Sequence, residues 1–132
     1  MSITVFNRYE KKFLITDDIY EQIIARIAFR MEPDTHSHDG GIYTICNIYY
    51  DTDDDYLIRT SIEKPLYKEK LRLRSYGQPN KDSEAFIEIK KKFDGNVNKR
   101  RITLPLEEAV NYLNNNVRPS SISENSQIFS EI

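Results

Sequence analysis

Nothing in this 132-residue chain approaches the roughly 18 consecutive apolar residues of a membrane-spanning helix, so no such helix is expected. Cysteine is almost missing. Cys46 alone cannot make an internal disulfide, and in its apolar run it reads as a small core residue suited to a reducing compartment. Residues 1–10 hold no apolar run of the signal-peptide kind and already carry charge, so a cytoplasmic location is expected. No G-x-x-x-x-G-K-[ST] segment occurs, which excludes a P-loop, and no Ser/His/Asp or Cys/His set stands out. His36 and His38, with Asp34 and Asp39 in a polar turn, are too few ligands for zinc. Asp51, Asp53, Asp54 and Asp55 lack the Gly and closing Glu of a calcium loop, and a helix cap is the simpler account. Internal repeats, low-complexity tracts and long linkers are also lacking, and the length fits one domain or a piece of one.

What is present is charge, unevenly placed. The chain as a whole is at −2. Between Lys64 and Arg101, however, twelve Lys and Arg face five acids, so this segment is at +7 and the remainder at −9. A basic block inside an acidic chain is a candidate anion site.

Periodicity gives an α+β reading with about five strands, mostly antiparallel, and three or four helices. Residues 5–15 read as a strand with Arg8, Glu10 and Lys12 on one face. Thr16, Asp17 and Asp18 start a helix striped by Ile19, Ile23, Ile24 and Ile27, which Pro33 closes. Residues 42–50, apolar on both faces, read as a buried strand, and 53–63 as a short helix stopped near Pro65. Three alternating strands follow at 68–76, 85–92 and 97–104, the last two joined by an Asp94-Gly95 turn. A helix from Pro105 to Leu113 comes next. Ile128, Phe129 and Ile132 then sit at helical spacing, and the chain is expected to stop in mid-helix.

One basic strand face is ordinarily a solvated face. Four in succession are different. The rows are Arg8/Glu10/Lys12, Lys70/Arg72/Arg74, Glu88/Lys90/Lys92 and Lys99/Arg101, nine cations against two glutamates. On neighbouring strands about 4.8 Å apart, like charges would oppose one another, which destabilises a sheet unless an anion of high charge density intervenes. Arginine grips phosphate oxygens bidentately and lysine acts as a point charge. Glu10 and Glu88 have two readings: ion pairs with neighbouring lysines, or ligands to a hard divalent cation bridging phosphates. Single-stranded nucleic acid ranks last, because only Tyr76 and Phe86 lie near the basic rows as stacking platforms.

The segments RYEKKFLI, IYYDT, KEKLRLRSYG and FIEIKKKFDGNVNKRR, in that order, resemble VTC-domain proteins, the polyphosphate-polymerase family with a CYTH-like triphosphate-tunnel fold. The resemblance runs from Phe6 to Arg101 and more loosely to Ile132. It implies an antiparallel β-barrel tunnel with flanking helices, lined by Arg and Lys, in which the ATP γ-phosphate passes to a growing polyphosphate chain. Mn2+ or Mg2+ would be the cofactor. By motif, Arg72, Arg74, Lys90, Lys99 and Arg101 would touch phosphate, with Arg8 and Lys12 lining the same lumen and Lys70 and Lys92 on the same rows. A non-catalytic phosphate or polyphosphate-binding module and a triphosphate hydrolase of the same fold are the alternatives. The series Arg8, Glu10, Lys12 lacks the first Glu of the usual E-x-E-x-K, which weakens the hydrolase. A tunnel takes about eight strands and five are read here. The chain is therefore expected to be a C-terminally truncated domain, inactive alone or completed by a second copy.

Overall fold

The computed structural model describes residues 11–34, 43–120 and 127–132. The chain divides into two compact units, one of Phe6–Tyr43 and one that includes Thr44–Ile132. In the first, the described part of the expected opening strand, residues 11–15, has no regular structure, and 5–10 lie outside the described residues. Helix α1 (Asp17–Ile27) follows the extended Thr16, whose carbonyl accepts the Tyr20 N–H at 3.0 Å. Asp17 and Asp18 place negative charge at its N-terminal dipole.

The second unit is built on an antiparallel sheet in the order β1 (Ile45–Tyr50), β2 (Tyr67–Tyr76), β3 (Glu84–Phe93), β4 (Asn96–Pro105). Among the described residues this sheet has four strands and is not closed into a barrel; β1 and β4 are its margins. The β3–β4 hairpin turns on two residues, Asp94 at φ 43° and Gly95 at φ 81°. Positive φ at both central positions matches the right-handed twist of the flanking strands, and an Asp-Gly pair tolerates it best.

β1 departs from expectation. Its two apolar faces promised a buried strand, yet Ile48 and Tyr49 are more than half exposed because the strand lies at the sheet margin. Cys46, expected in the core, is only partly buried, with Sγ 3.8 Å from the Gly77 carbonyl. Helix α2 (Tyr56–Ile62) follows, and of the aspartate cluster it is Asp51 that caps it. The Asp51 carboxylate accepts the N–H groups of Leu57 at 2.7 Å and Ile58 at 2.9 Å, and Thr52 Oγ1 accepts that of Tyr56 at 2.9 Å. These are donors that a helix start leaves without intrahelical partners. Desolvation works against the Asp51 charge, but the N–H donors of Leu57, Ile58 and Thr52 outweigh it and hold the carboxyl below its usual range.

Helix α3 (Leu106–Asn115) starts directly from β4, so Pro105 offers no side-chain cap. The β2–β3 loop supplies the acceptors instead: Leu106 N donates to Ser83 O at 2.9 Å and Glu107 N to Lys81 O at 3.0 Å. Asn116, at φ 54°, ends the helix in the left-handed conformation. Of the last segment, expected to be helical, residues 123–126 lie outside the described residues and Gln127–Ser130 form a 3₁₀ turn. Ile128 is buried in the core with Leu73, Ala85, Ile87, Ile89, Ile102, Leu104, Ala109 and Tyr112. Tyr112 and Phe129 meet edge to face at 4.7 Å, and the Tyr112 hydroxyl donates to the Phe129 carbonyl. α3 and the 3₁₀ turn therefore cover one face of the sheet. The other face carries the charge.

Candidate anion-binding face

Antiparallel register decides which side chains share a face, because residues directly opposite project the same way. The pairings Lys70↔Lys90 and Lys90↔Lys99 place three lysines in one row across β2, β3 and β4. The next row is Tyr49, Arg72, Glu88 and Arg101, and beyond it come Asn47, Arg74, Phe86 and Thr103. On the other side of the lysine row, Lys68 faces Lys92, which faces Val97. Seven of the nine residues expected to bind phosphate thus lie on one face: Lys70, Arg72, Arg74, Lys90, Lys92, Lys99 and Arg101. Lys68 joins them, and Glu84 lies at the far end of the same face opposite Pro105. Lys12 is exposed and belongs to the other unit, while Arg8 and Glu10 lie outside the described residues.

Glu88 sits at the centre, 2% exposed. Its Oε1 accepts from Lys99 Nζ at 2.8 Å and Arg101 Nε at 2.7 Å, and its Oε2 accepts from Arg72 Nε. Burial alone would raise its pKa. The hydrogen bonds from Lys99, Arg101 and Arg72 overcome that and hold the carboxyl at about 2. Arg72 responds in the opposite sense: desolvation opposes its charge, but Glu88 and Tyr49 keep its pKa raised. One anion thus fixes three cations, leaving a surplus of two positive charges at the hub. The remaining arginine is held differently. Arg74 Nε donates to Asn47 Oδ1 at 2.9 Å, and its guanidinium lies 5.9 Å from the Tyr76 ring centroid. Arg101 also stacks 4.5 Å from the centroid of Phe86, the buried aromatic on this face.

The lysines away from the hub differ. Lys68, Lys70, Lys90 and Lys92 have no acidic partner among the described residues. Lys91, one residue away and on the opposite face, is paired to Glu131 at 2.8 Å. Opposed lysines without counter-ions raise the energy of the sheet, and a bound polyanion would remove that conflict.

Glu88 is an ion-pair hub here, with both carboxylate oxygens engaged by cations. Among the described residues no three His, Cys, Asp or Glu side chains come together as a metal-binding group.

Sequence reasoning missed Asn47 and Tyr49. Their alternation in the run Asn47-Ile48-Tyr49 was the available signal, masked because the flanking residues are all apolar or aromatic.

The fold and face define an α+β chain whose sheet is apolar and helix-covered on one side and cationic on the other. Among the described residues no helix is long and apolar enough to cross a membrane. The model of the VTC domain family matches residues 7–132, and the chain belongs to that family. Curated proteins gave no match, and neither did solved structures.

Proposed function

We propose that the cationic face binds the phosphates of ATP and of an inorganic polyphosphate chain, in a polyphosphate polymerase domain that moves the γ-phosphate of ATP onto the growing chain. The observation that carries this reading is the row Lys70, Lys90, Lys99 directly beside the Glu88-centred hub of Arg72 and Arg101. Phosphoryl transfer asks a protein mostly for positioning and charge neutralisation. The arginines, held in place by Glu88, would orient phosphate oxygens, and the lysines would neutralise charge as it shifts from the γ-phosphate to the leaving ADP. Closure of this sheet into a tunnel, by further strands or by a second copy of the chain, belongs to the same proposal. A divalent ion would come to the face held by phosphate oxygens.

A second reading keeps the face and drops the chemistry: a non-catalytic phosphate or polyphosphate-binding module. It is favoured by the full commitment of Glu88, the only central carboxylate among the described residues of the face, to ion pairs. Incubation with ATP and Mn2+ or Mg2+, followed by detection of polyphosphate, separates the two. Polymer formation supports the polymerase. Binding of tripolyphosphate that weakens with salt, without turnover, supports the module. Equal affinity for tripolyphosphate and chloride would sink both.

A further inference from the structure

The cationic face is not uniform along its strands. At the end near the β3–β4 turn, Lys68, Lys70, Lys90, Lys92 and Lys99 crowd together. Six residues further along β2, roughly 20 Å at strand rise, Arg74 stands among the neutral Asn47, Phe86 and Thr103. Between them, on the marginal strand β1, lies Tyr49. It is 59% exposed, and Arg72 Nη1 donates to its hydroxyl at 3.5 Å. Phe86 cannot serve as a platform for a planar ligand, since it is 7% exposed beneath Arg101 and against the edge of Tyr76. Tyr49 can.

A nucleoside triphosphate has the same asymmetry, with a flat neutral base at one end and dense negative charge at the other. Resting on the phosphate-binding reading above, we infer that Tyr49 is a specificity-determining residue that stacks the nucleoside base, with the triphosphate running over Arg72 and Arg101 toward the lysine row. This fixes the direction of the ligand: base toward β1, terminal phosphate toward Lys70, Lys90 and Lys99. It also provides a way to prefer a nucleotide over inorganic triphosphate, which the lysine row by itself would hold equally.

The test compares ATP with inorganic tripolyphosphate by titration calorimetry on the wild type, Tyr49→Ala and Tyr49→Phe. Aromatic stacking on a base is worth roughly tenfold in affinity. Tyr49→Ala is expected to weaken ATP by about tenfold while tripolyphosphate stays within about twofold, and Tyr49→Phe, which keeps the ring and loses the contact to Arg72, to retain ATP binding. An unchanged ATP affinity in Tyr49→Ala overturns the inference. So does an equal loss for both ligands, because Tyr49 would then act only through Arg72. If the wild type binds tripolyphosphate but prefers it to ATP, the inference fails and the phosphate reading stands. If it binds neither, both fall.

Discussion

The two faces of the same sheet are held by opposite means. On the covered face, Leu73, Ile87, Ile89, Ile102 and Leu104 lose their water against α3 and the last 3₁₀ turn, and among the described residues ion pairs lie at the rim, where Glu131 reaches Lys91 and Arg100. On the other face, charge is dense and one carboxylate does the work of holding it together. Burial of an apolar face stabilises a fold whatever binds to it. A face of opposed lysines costs stability until something binds, and that asymmetry separates the part of the sheet that makes the fold from the part suited to a ligand.

The comparison breaks most visibly at Glu88. Glu88→Ala leaves Arg72, Lys99 and Arg101 without their shared anion and is expected to cost about 3–5 kcal/mol in chemical denaturation. Its acid sensitivity follows from the lowered pKa. A carboxyl at about 2 in the folded chain, against 4.5 for the unperturbed group, gives stability that is fully present above about 4.5 and is lost as pH falls toward 2. The wild type should lose on the order of 3 kcal/mol across that window through this group, and Glu88→Ala should lack that part of the slope. A variant as stable as the wild type, with an unchanged acid limb, would remove Glu88 from the centre of the account.

Ile87, one residue away and fully buried, probes the other face. Ile87→Ala is expected to lower stability by about 3 kcal/mol through lost burial and a residual cavity, with no dependence on salt. Glu88→Ala differs in responding to both salt and pH, and identical salt profiles for the two variants would erase the distinction between the faces.

These two neighbours also show what was legible in advance. β2, β3 and β4 are each wet on one side and dry on the other, so strict alternation of residues such as Glu88, Ile89 and Lys90 revealed which residues share a face. β1 was misread because alternation of Ile45, Asn47 and Tyr49 with Cys46, Ile48 and Tyr50 carries little polarity contrast. Its place at a margin is set by tertiary pairing, which no local pattern encodes. Asp51 was legible as a cap because acids before an apolar run have few other uses. The role of Glu88 was open, since a carboxylate on a basic face pairs with cations or with a metal, and its ion pairs to Arg72, Lys99 and Arg101 show only in three dimensions. The final segment was taken for a helix from the spacing of Ile128, Phe129 and Ile132, but the 3₁₀ turn takes in only the first two of these.

Smaller effects sharpen the picture. Glu131→Gln removes the charge that pairs with Lys91 and Arg100 at the rim of the covered face, and is expected to cost about 1 kcal/mol in thermal or urea denaturation while leaving tripolyphosphate affinity unchanged. Lys90→Ala should go the other way. Relieving the opposition to Lys70 and Lys99 is expected to change stability by no more than a few tenths of a kcal/mol, in the stabilising direction at low salt. A loss of more than about 1 kcal/mol would mean that the lysine row supports the fold.

The most direct measurement uses the alternation of β3 itself. Lys90, Lys91 and Lys92 are consecutive and chemically identical, but Lys90 and Lys92 lie on the cationic face while Lys91 lies on the covered one, paired to Glu131. Tripolyphosphate affinity should be measured at low and high salt for Lys90→Ala, Lys91→Ala and Lys92→Ala. Each removes one positive charge, so net charge is the same in all three. The account predicts weaker binding at low salt for Lys90→Ala and Lys92→Ala, a difference that shrinks as salt rises, and an affinity close to wild type for Lys91→Ala. An equal loss in all three would show that phosphate senses only the overall charge, and a loss confined to Lys91→Ala would put the site on the opposite face.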